Sequence, residues 1–212
     1  MPLLISEAKM AMNDIHVSIR EGDGQRFSQG ITVDEALQRL GVDSSNPAVA
    51  AKINGELLDL NRTLEEDCTL EAVRRNSDEG LEILRHTASH VMAQADQSLY
   101  PEAKISIGPA IENGFYYDFD CPEPFKVDDL PRIEARMQEI IRQASPVRRQ
   151  ELDRQEAIRL FKERDEPYKV EMLEELEESR VSVYGQGDWL DLCRGPHLLN
   201  TAEVKAFKLT GV

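Results

Sequence analysis

The sequence predicts an α+β protein made of two domains, a small one over residues 14–75 and a larger one over residues 76–212. Before residue 75, a short helix with clear start and stop signals lies among strand-like segments. A long run with helical periodicity follows, and later segments alternate as antiparallel strands do. A chain of 212 residues is long enough to bury a core in each domain. Residues 1–13 have no clear pattern and are predicted to be an N-terminal extension.

The small domain is predicted to be a ubiquitin-like (β-grasp) roll. Thr32 and Glu35 form a capping box that starts a helix, and Gly41 ends that helix. Asn54 and Gly55 are a strong signal for a two-residue hairpin turn. Strands are predicted at residues 15–19, 25–29, 48–53, 56–60 and 68–73.

The larger domain is predicted to contain an antiparallel sheet with packed helices. A hairpin with Asn113 and Gly114 at its tip follows the first helix, and the acids at Asp128 and Asp129 start another helix. Further strands are predicted at 146–152, 181–184 and 189–192, and further helices at 153–164 and 172–178, with a break at 167–170. The apolar stripe of the first helix consists of Leu81, Leu84, Ala88, Val91, Met92, Ala95 and Leu99.

The charge balance limits the classes of partner. A formal net charge of −15 and a pI near 4.7 argue against nonspecific binding to DNA or RNA, because phosphates would meet a repulsive field. No apolar run approaches the roughly 20 residues that a membrane helix needs, so no membrane contact is expected. The three cysteines are odd in number and widely spaced, which is typical of reduced thiols in a cytosolic protein.

Two short segments contain most of the residues suited to chemistry. His86 and His90 lie four positions apart in the first long helix, so both imidazoles project from one helical face. Cys193 and His197 repeat the four-residue offset in a loop that follows a predicted strand. Three imidazoles and a thiolate would complete a tetrahedral zinc site, whereas without metal they offer a general base near neutral pH. The alternative is a pair of solvated histidines, because the apolar stripe is centred almost opposite them. His16, on the polar face of a strand, is predicted to be solvated.

Asp191 and Lys169 complete the set of candidate residues. Asp191 precedes Cys193 by two positions and shares its face of a strand, where a carboxylate can orient a histidine or bind a substrate hydroxyl or amine. Lys169 lies in the predicted helix break, where its charge can hold a water or stabilise an anion. Taken alone, each of these residues is more often a surface charge.

Four ordered blocks of sequence resemble the N-terminal region of bacterial threonyl-tRNA synthetases. These blocks are Leu84-Arg-His86-Thr-Ala-Ser-His90, Ile107-Gly108-Pro109, Glu112-Asn-Gly-Phe-Tyr-Tyr-Asp118 and Asp191-Leu-Cys193-Arg-Gly-Pro-His197. Residues 14–75 are similar to the TGS domain of that family, and residues 76–212 to its editing domain. The family's aminoacylation core and anticodon-binding domain would follow Val212. The sequence ends without a turn or capping signal, as expected of a cut through a longer protein.

The resemblance implies that the editing domain removes serine that has been attached in error to threonine-specific tRNA. It implies His86, His90, Cys193 and His197 as the catalytic pocket, and Lys169, together with His86, as the group that positions or activates the water. It further implies that Asp191 and Tyr117 contact the seryl group and that Gly108 admits the terminal adenosine. The family's pocket is understood to work without metal, so zinc at the three histidines and Cys193 is not favoured.

The implied partners are the 3′ end of a serine-carrying threonine-specific tRNA and the rest of the synthetase in the same chain. Because the chain is acidic, we expect it to receive only the flexible end of the tRNA. Two rival interpretations stay open, a zinc-dependent aminoacyl-tRNA deacylase and a non-catalytic RNA- or protein-binding module with a degenerate pocket. The residues of the TGS domain do not indicate whether this domain contacts RNA or is only a packing module. We expect a packing module.

Overall fold

A computed structural model describes residues 14–20, 22–42 and 44–212. The N-terminal extension predicted for residues 1–13 lies outside the described residues. The strands are β1 (Asp14–Ile19), β2 (Gly24–Ser28), β3 (Ile31–Thr32), β4 (Ala48–Ile53), β5 (Glu56–Leu58), β6 (Thr63–Leu64), β7 (Cys68–Arg74), β8 (Lys104–Ile105), β9 (Ala110–Ile111), β10 (Gly114–Phe115), β11 (Phe119–Asp120), β12 (Val147–Asp153), β13 (Arg180–Gln186) and β14 (Trp189–Leu192). The α-helices are α1 (Val33–Arg39), α2 (Asp78–Leu99), α3 (Leu130–Gln143), α4 (Arg154–Glu163) and α5 (Pro167–Glu175), and Val127–Asp129 and Thr201–Glu203 are 3₁₀ turns.

The first part of the chain is the predicted β-grasp roll. Its five-stranded sheet has the order β2-β1-β7-β4-β5, with β1 and β7 parallel and the other pairs antiparallel. Helix α1 begins as the sequence predicts, because the Thr32 hydroxyl accepts a hydrogen bond from the backbone N–H of Glu35. Its buried residues Val33, Ala36 and Leu37 pack with strand residues into one apolar core. A small extra pair, β3 with β6, was not predicted.

The second part combines a three-stranded antiparallel sheet, β12-β13-β14, with the four remaining helices. Helices α4 and α5 bury Phe161 and Leu173 against Leu152 and Val183 of this sheet. Helices α2 and α3 share a larger core. The buried residues of α3, Leu130, Ile133, Met137 and Ile140, recur at the three- and four-residue spacings of one helical face.

Helix α2 is the centre of the fold, and its surroundings differ from the prediction. Leu81 in the predicted stripe is 37% exposed, whereas Thr87, Ser89 and His90 on other faces are buried. Residues Val49, Ala50 and Val73 of the β-grasp sheet belong to the same apolar core as α2, so this helix is covered from several directions. The prediction that its histidine face avoids the packed interior is therefore wrong for His90, which is 3% exposed.

Two local predictions also need correction. The hairpin of β9 and β10 turns at Glu112 and Asn113, since Gly114 pairs with Ile111 as a strand residue. Pro167 does not end the helical region but starts α5, because a proline in the first turn of a helix lacks only an N–H that would be unpaired anyway. Lys169 therefore lies within a helix. Among the described residues no helix is long and apolar enough to cross a membrane.

Candidate active site

A cavity of about 640 Å³ lies between α2, α5 and the sheet β12-β13-β14. Seven of the eight residues singled out from the sequence line it, namely His86, His90, Gly108, Tyr117, Lys169, Asp191 and Cys193. The eighth, His197, is 2% exposed and lies behind Cys193. The fold thus brings together all of the predicted site residues, although 111 positions separate the first of them from the last.

The thiol of Cys193 lies between two imidazoles. Its Sγ atom is 3.3 Å from Nε2 of His86 and 3.2 Å from Nε2 of His197. The rings of His86 and His90 lie 4.1 and 4.2 Å from the ring of His197. His90 also packs edge-on against the ring of Trp189 at 5.3 Å. The four-residue offset on α2 therefore places both histidines against one sulfur-bearing loop.

Thr87 fixes the orientation of His197. The Thr87 hydroxyl donates to the carbonyl of Ile83 at 3.0 Å and accepts from the backbone N–H of Leu198 at 3.0 Å. Its oxygen is also 3.2 Å from Nδ1 of His197. Because the one hydroxyl proton is used on Ile83, we assign the proton of His197 to Nδ1, which leaves Nε2 as an acceptor towards Cys193.

A second group in the cavity is built on a buried ion pair. Nζ of Lys169 lies 2.7 Å from Oδ1 of Asp191. The same ammonium donates to the carbonyl of Ser106 at 2.5 Å and to the hydroxyl of Tyr117 at 3.1 Å. The Tyr117 hydroxyl donates in turn to Oδ2 of Asp191. All three N–H donors of the lysine are therefore engaged with protein groups.

Gly108 is packed against Tyr117. A Cβ atom at Gly108 would overlap the aromatic ring of Tyr117, so any larger residue would push the ring from its place. The carbonyl of Gly108 accepts a hydrogen bond from the Ser89 hydroxyl of α2 at 2.8 Å. The absence of a side chain thus lets the Tyr117 ring approach the backbone, a role that the sequence did not suggest.

Burial decides the protonation state of the His and Cys groups. Loss of hydration lowers the pKa of His86, although the charge of Asp191 opposes it, and it lowers the pKa of His90 and His197 well below the usual value. Burial also raises the pKa of the Cys193 thiol to about 12. At neutral pH the cluster therefore consists of neutral imidazoles and a protonated thiol.

The mouth of the cavity carries charged side chains that the sequence did not single out. Arg149 and Arg180 lie 2.7 and 3.4 Å from carboxylate oxygens of Glu151, and Arg194 lies 3.1 Å from Glu178. All five of these residues line the cavity. Arginines that alternate with acids give no motif in sequence, and the contact of Arg180 with Glu151 depends on the antiparallel pairing of β12 with β13.

The three histidines and Cys193 fit a zinc ion by donor chemistry. One ligand atom from each lies within 4.8 Å of the others. Such an ion would fill its four tetrahedral positions with protein ligands and would therefore be structural, with no position left for water.

Two further residues of the site were missed because they act through tertiary contacts. Asp59, in the loop between β5 and β6, accepts hydrogen bonds from the hydroxyl of Tyr184 at 2.6 Å and from the backbone N–H of His197 at 2.9 Å. Asp59 and Thr87 are both buried. No local sequence pattern marks Asp59. The second missed residue is Thr87, which lies within the block Leu84–His90, so the sequence did carry a signal for it.

The similarities to known proteins agree with this organisation. Residues 15–73 match the TGS domain family, and residues 181–212 match the family described as the threonyl and alanyl tRNA synthetase second additional domain. The second match contains Asp191, Cys193 and His197.

Curated relatives extend the similarity over almost the whole chain. A threonine–tRNA ligase of Symbiobacterium thermophilum is 48% identical over 93% of this chain and 31% of its own length. Those of Acetivibrio thermocellus and Geobacter sp. strain M21 are each 46% identical over 93% and 95% of this chain, and 31% and 32% of their own lengths. The chain thus spans about a third of the length of these relatives. The predicted resemblance to the N-terminal region of threonyl-tRNA synthetases is confirmed.

Proposed function

We propose that this chain, which carries a TGS domain and is similar over 93% of its length to the N-terminal regions of threonine–tRNA ligases, hydrolyses seryl-tRNA made in error on threonine-specific tRNA. The observation that carries the proposal is that one cavity is lined by a neutral histidine, a half-buried thiol and a lysine–aspartate–tyrosine group. Water adds to the carbonyl of the ester, the bond from that carbon to the 3′-terminal ribose oxygen breaks, and free serine and tRNA are released.

His86 is the proposed general base. Its lowered pKa keeps the imidazole neutral at physiological pH, so that it can take a proton from the attacking water and return it to the ribose oxygen. It is half-buried and lines the cavity, whereas His90 lines the cavity with only 3% of its surface exposed and His197 does not line it. His90 and His197 shape the pocket wall against which the ester lies.

The attacking nucleophile is water rather than the thiol of Cys193. With a pKa raised to about 12, this cysteine carries almost no thiolate at neutral pH, and the thiolate is the reactive form. Its contacts with His86 and His197 give it a role in holding the two rings apart at a fixed distance.

Asp191 and Tyr117 provide the contacts for the seryl group. The amino group of an aminoacyl ester is attracted to a carboxylate, and the serine hydroxyl can hydrogen bond to the Tyr117–Asp191 pair. Lys169 was expected from the resemblance to position the water. Because all its donors are engaged, we assign it instead the task of fixing Asp191 and Tyr117 and of supplying positive charge beside the developing oxyanion.

The reason for such a site is the small difference between serine and threonine. One methyl group changes binding in an apolar pocket by only roughly 10–200-fold, so a second, hydrolytic pocket that excludes the methyl supplies the missing discrimination. The rest of the synthetase in the same polypeptide and the body of the tRNA are proposed partners. The net charge of −15 supports an arrangement in which other domains hold the tRNA and this part receives its 3′ end. A cytosolic location remains a prediction.

The test is deacylation of seryl-tRNA and threonyl-tRNA, both on threonine-specific tRNA, by the purified 212-residue chain. We expect serine to be released at least about tenfold faster than threonine, as a pocket that excludes one methyl requires. Equal release of both would contradict the selectivity. If neither is released, the same assay with the full-length synthetase separates a dependence on the tRNA-holding domains from a non-catalytic binding module.

A further inference from the structure

One side chain of the β-grasp domain reaches the back of the candidate site. Asp59 lies between β5 and β6 and is 3% exposed. Its Oδ1 accepts the backbone N–H of His197, and its Oδ2 accepts the hydroxyl of Tyr184. Removing a carboxyl group from water is costly unless hydrogen bonds satisfy it, so the two donors are necessary partners of this buried side chain.

Both partners of Asp59 touch the catalytic cluster directly. Residue His197 contributes the imidazole that faces Cys193. The ring of Tyr184 lies 4.7 Å from the ring of His197, and it packs so closely on Gly195 that a Cβ atom there would overlap the Tyr184 hydroxyl. Asp59 therefore sets the position of His197 from two sides, through its backbone and through the aromatic ring beside it.

The segment after His197 is also attached to the β-grasp domain. The side chain of Leu199 packs against the apolar core of that domain. Its backbone N–H donates to Glu203 at 3.2 Å, and Glu203 accepts the guanidinium of Arg75, which directly follows β7, at 2.5 Å. The loop 193–199 has no regular secondary structure over most of its length. These contacts therefore fix it in place of the hydrogen bonds that a helix or strand would supply.

We propose that Asp59 is a positioning residue of the hydrolytic site, which makes the TGS domain part of that site and not only a neighbouring module. The consequence for catalysis rests on the proposed function. The effect of Asp59 on geometry does not depend on that function, because it concerns only where Cys193 and His197 lie in the folded protein. A catalytic group must be held within a fraction of an ångström, and misplacement by about 1 Å can cost roughly a hundredfold in rate.

The test compares three variants of the 212-residue chain. Asp59→Ala removes both acceptors, and Tyr184→Phe removes the hydroxyl that donates to Oδ2 and also lies 3.5 Å from the carbonyl of Arg194. Asn61→Ala is the matched control, because Asn61 lies in the same loop and donates to the carbonyl of Val147 at 3.2 Å without touching the cavity. Three quantities are measured: kcat and KM for seryl-tRNA hydrolysis, and the rate at which iodoacetamide alkylates Cys193, which peptide mass spectrometry follows.

For Asp59→Ala we expect kcat to fall at least about tenfold with KM nearly unchanged, because the substrate contacts at Asp191 and Tyr117 remain. We expect alkylation of Cys193 to accelerate severalfold, because release of the loop 193–199 frees the thiol from its contacts with His86 and His197. Tyr184→Phe should show a smaller change in the same direction, and it keeps the test valid if Asp59→Ala fails to fold. Asn61→Ala should match the unmodified chain in both measurements.

Several results would overturn the proposal. One is a folded Asp59→Ala protein with unchanged kcat and unchanged alkylation of Cys193. Another is an equal effect of Asn61→Ala, which would indicate general loosening of the domain contact. If neither the unmodified chain nor the full-length synthetase hydrolyses the ester but Asp59→Ala exposes Cys193, the positioning role of Asp59 is supported and the proposed function fails.

Discussion

Lys169 and Asp191 form an ion pair of 2.7 Å in which each side chain is only 2% exposed. The pair joins the first turn of α5 to β14, and Tyr117 closes it from a third direction. An isolated charge in such surroundings is strongly disfavoured, so each member requires the other. The same contact that holds three elements together therefore also holds the proposed substrate-binding carboxylate in place.

Neutralising one member of this pair should damage stability and activity together. For Lys169→Met we expect a loss of about 3–5 kcal/mol in the free energy of unfolding, because the carboxylate of Asp191 is left buried without its cation. Urea denaturation measures this loss. Hydrolysis of seryl-tRNA should fall below detection, because Tyr117 and Asp191 are no longer fixed.

The double variant Lys169→Met with Asp191→Asn should recover most of the lost stability without recovering activity. The amide oxygen of an asparagine can still accept the N–H of Leu192, which Asp191 accepts at 2.7 Å, and no buried charge remains. A double variant as unstable as the single one would show that the loss comes from packing and not from charge.

Replacement of His86 should lower activity without lowering stability. His86 lies at the cavity wall and is only half-buried, so His86→Ala should leave the thermal unfolding midpoint nearly unchanged. Loss of a general base should lower the rate of seryl-tRNA hydrolysis about 10²–10⁴-fold. The control is His16→Ala, at an exposed position on β1. Hydrolysis by His86→Ala at the unmodified rate would show that the base has been assigned to the wrong residue.

The fold was largely predictable where local signals are strong. The capped helix α1, the turn at Asn54 and Gly55, and the amphipathic α3 all form where the sequence places them. Strands such as β8 and β9 contain two residues each, which is too short for alternation to be read. The unpredicted pair of β3 and β6 shows this limit, since the positions of these two-residue strands follow from tertiary packing.

The sequence predicted the residues of the candidate site but not the residues that hold them in position. The four-residue offsets marked the His and Cys positions, local reasoning added Asp191 and Lys169, and the resemblance added Tyr117 and Gly108. Thr87, Ser89 and Ala93 of α2 are buried outside the predicted stripe, and a search for large apolar residues does not detect small or hydroxyl-bearing side chains. Asp59 meets Tyr184 across 125 positions, so no spacing rule reaches it.

Removal of metal should leave hydrolysis intact. With all four tetrahedral positions filled by His86, His90, Cys193 and His197, a bound zinc would have none for the attacking water, whereas the proposed base acts without an ion. We therefore expect seryl-tRNA hydrolysis to survive dialysis against a chelator, and elemental analysis to find far less than one zinc per chain. One tightly held zinc per chain, with activity lost on chelation and restored by zinc, would favour the zinc-dependent deacylase instead.

Asp96 should make the stability of the chain depend on pH. This residue of α2 is 2% exposed, and among the described residues its Oδ1 has no hydrogen-bond partner. Burial raises its pKa to about 7, from a usual value of 3.8. Well below the unfolded pKa of 3.8, the carboxyl group is protonated in both the folded and the unfolded chain, so it causes no penalty. Between pH 4 and 7 only the unfolded chain ionises, and folding becomes progressively less favourable.

The variant Asp96→Asn removes that penalty. Above pH 7 we expect it to be more stable than the unmodified chain, by up to about 4 kcal/mol, because each unit of pKa shift corresponds to about 1.4 kcal/mol. The difference should shrink as the pH falls and disappear near pH 4, which urea denaturation at pH 8, 6 and 4 would reveal. Asp188→Asn, at an exposed turn position, controls for the loss of one negative charge from an acidic chain and should give a much smaller difference. An Asp96→Asn protein less stable than the unmodified chain at pH 8 would show that the carboxylate has a stabilising partner in the folded state.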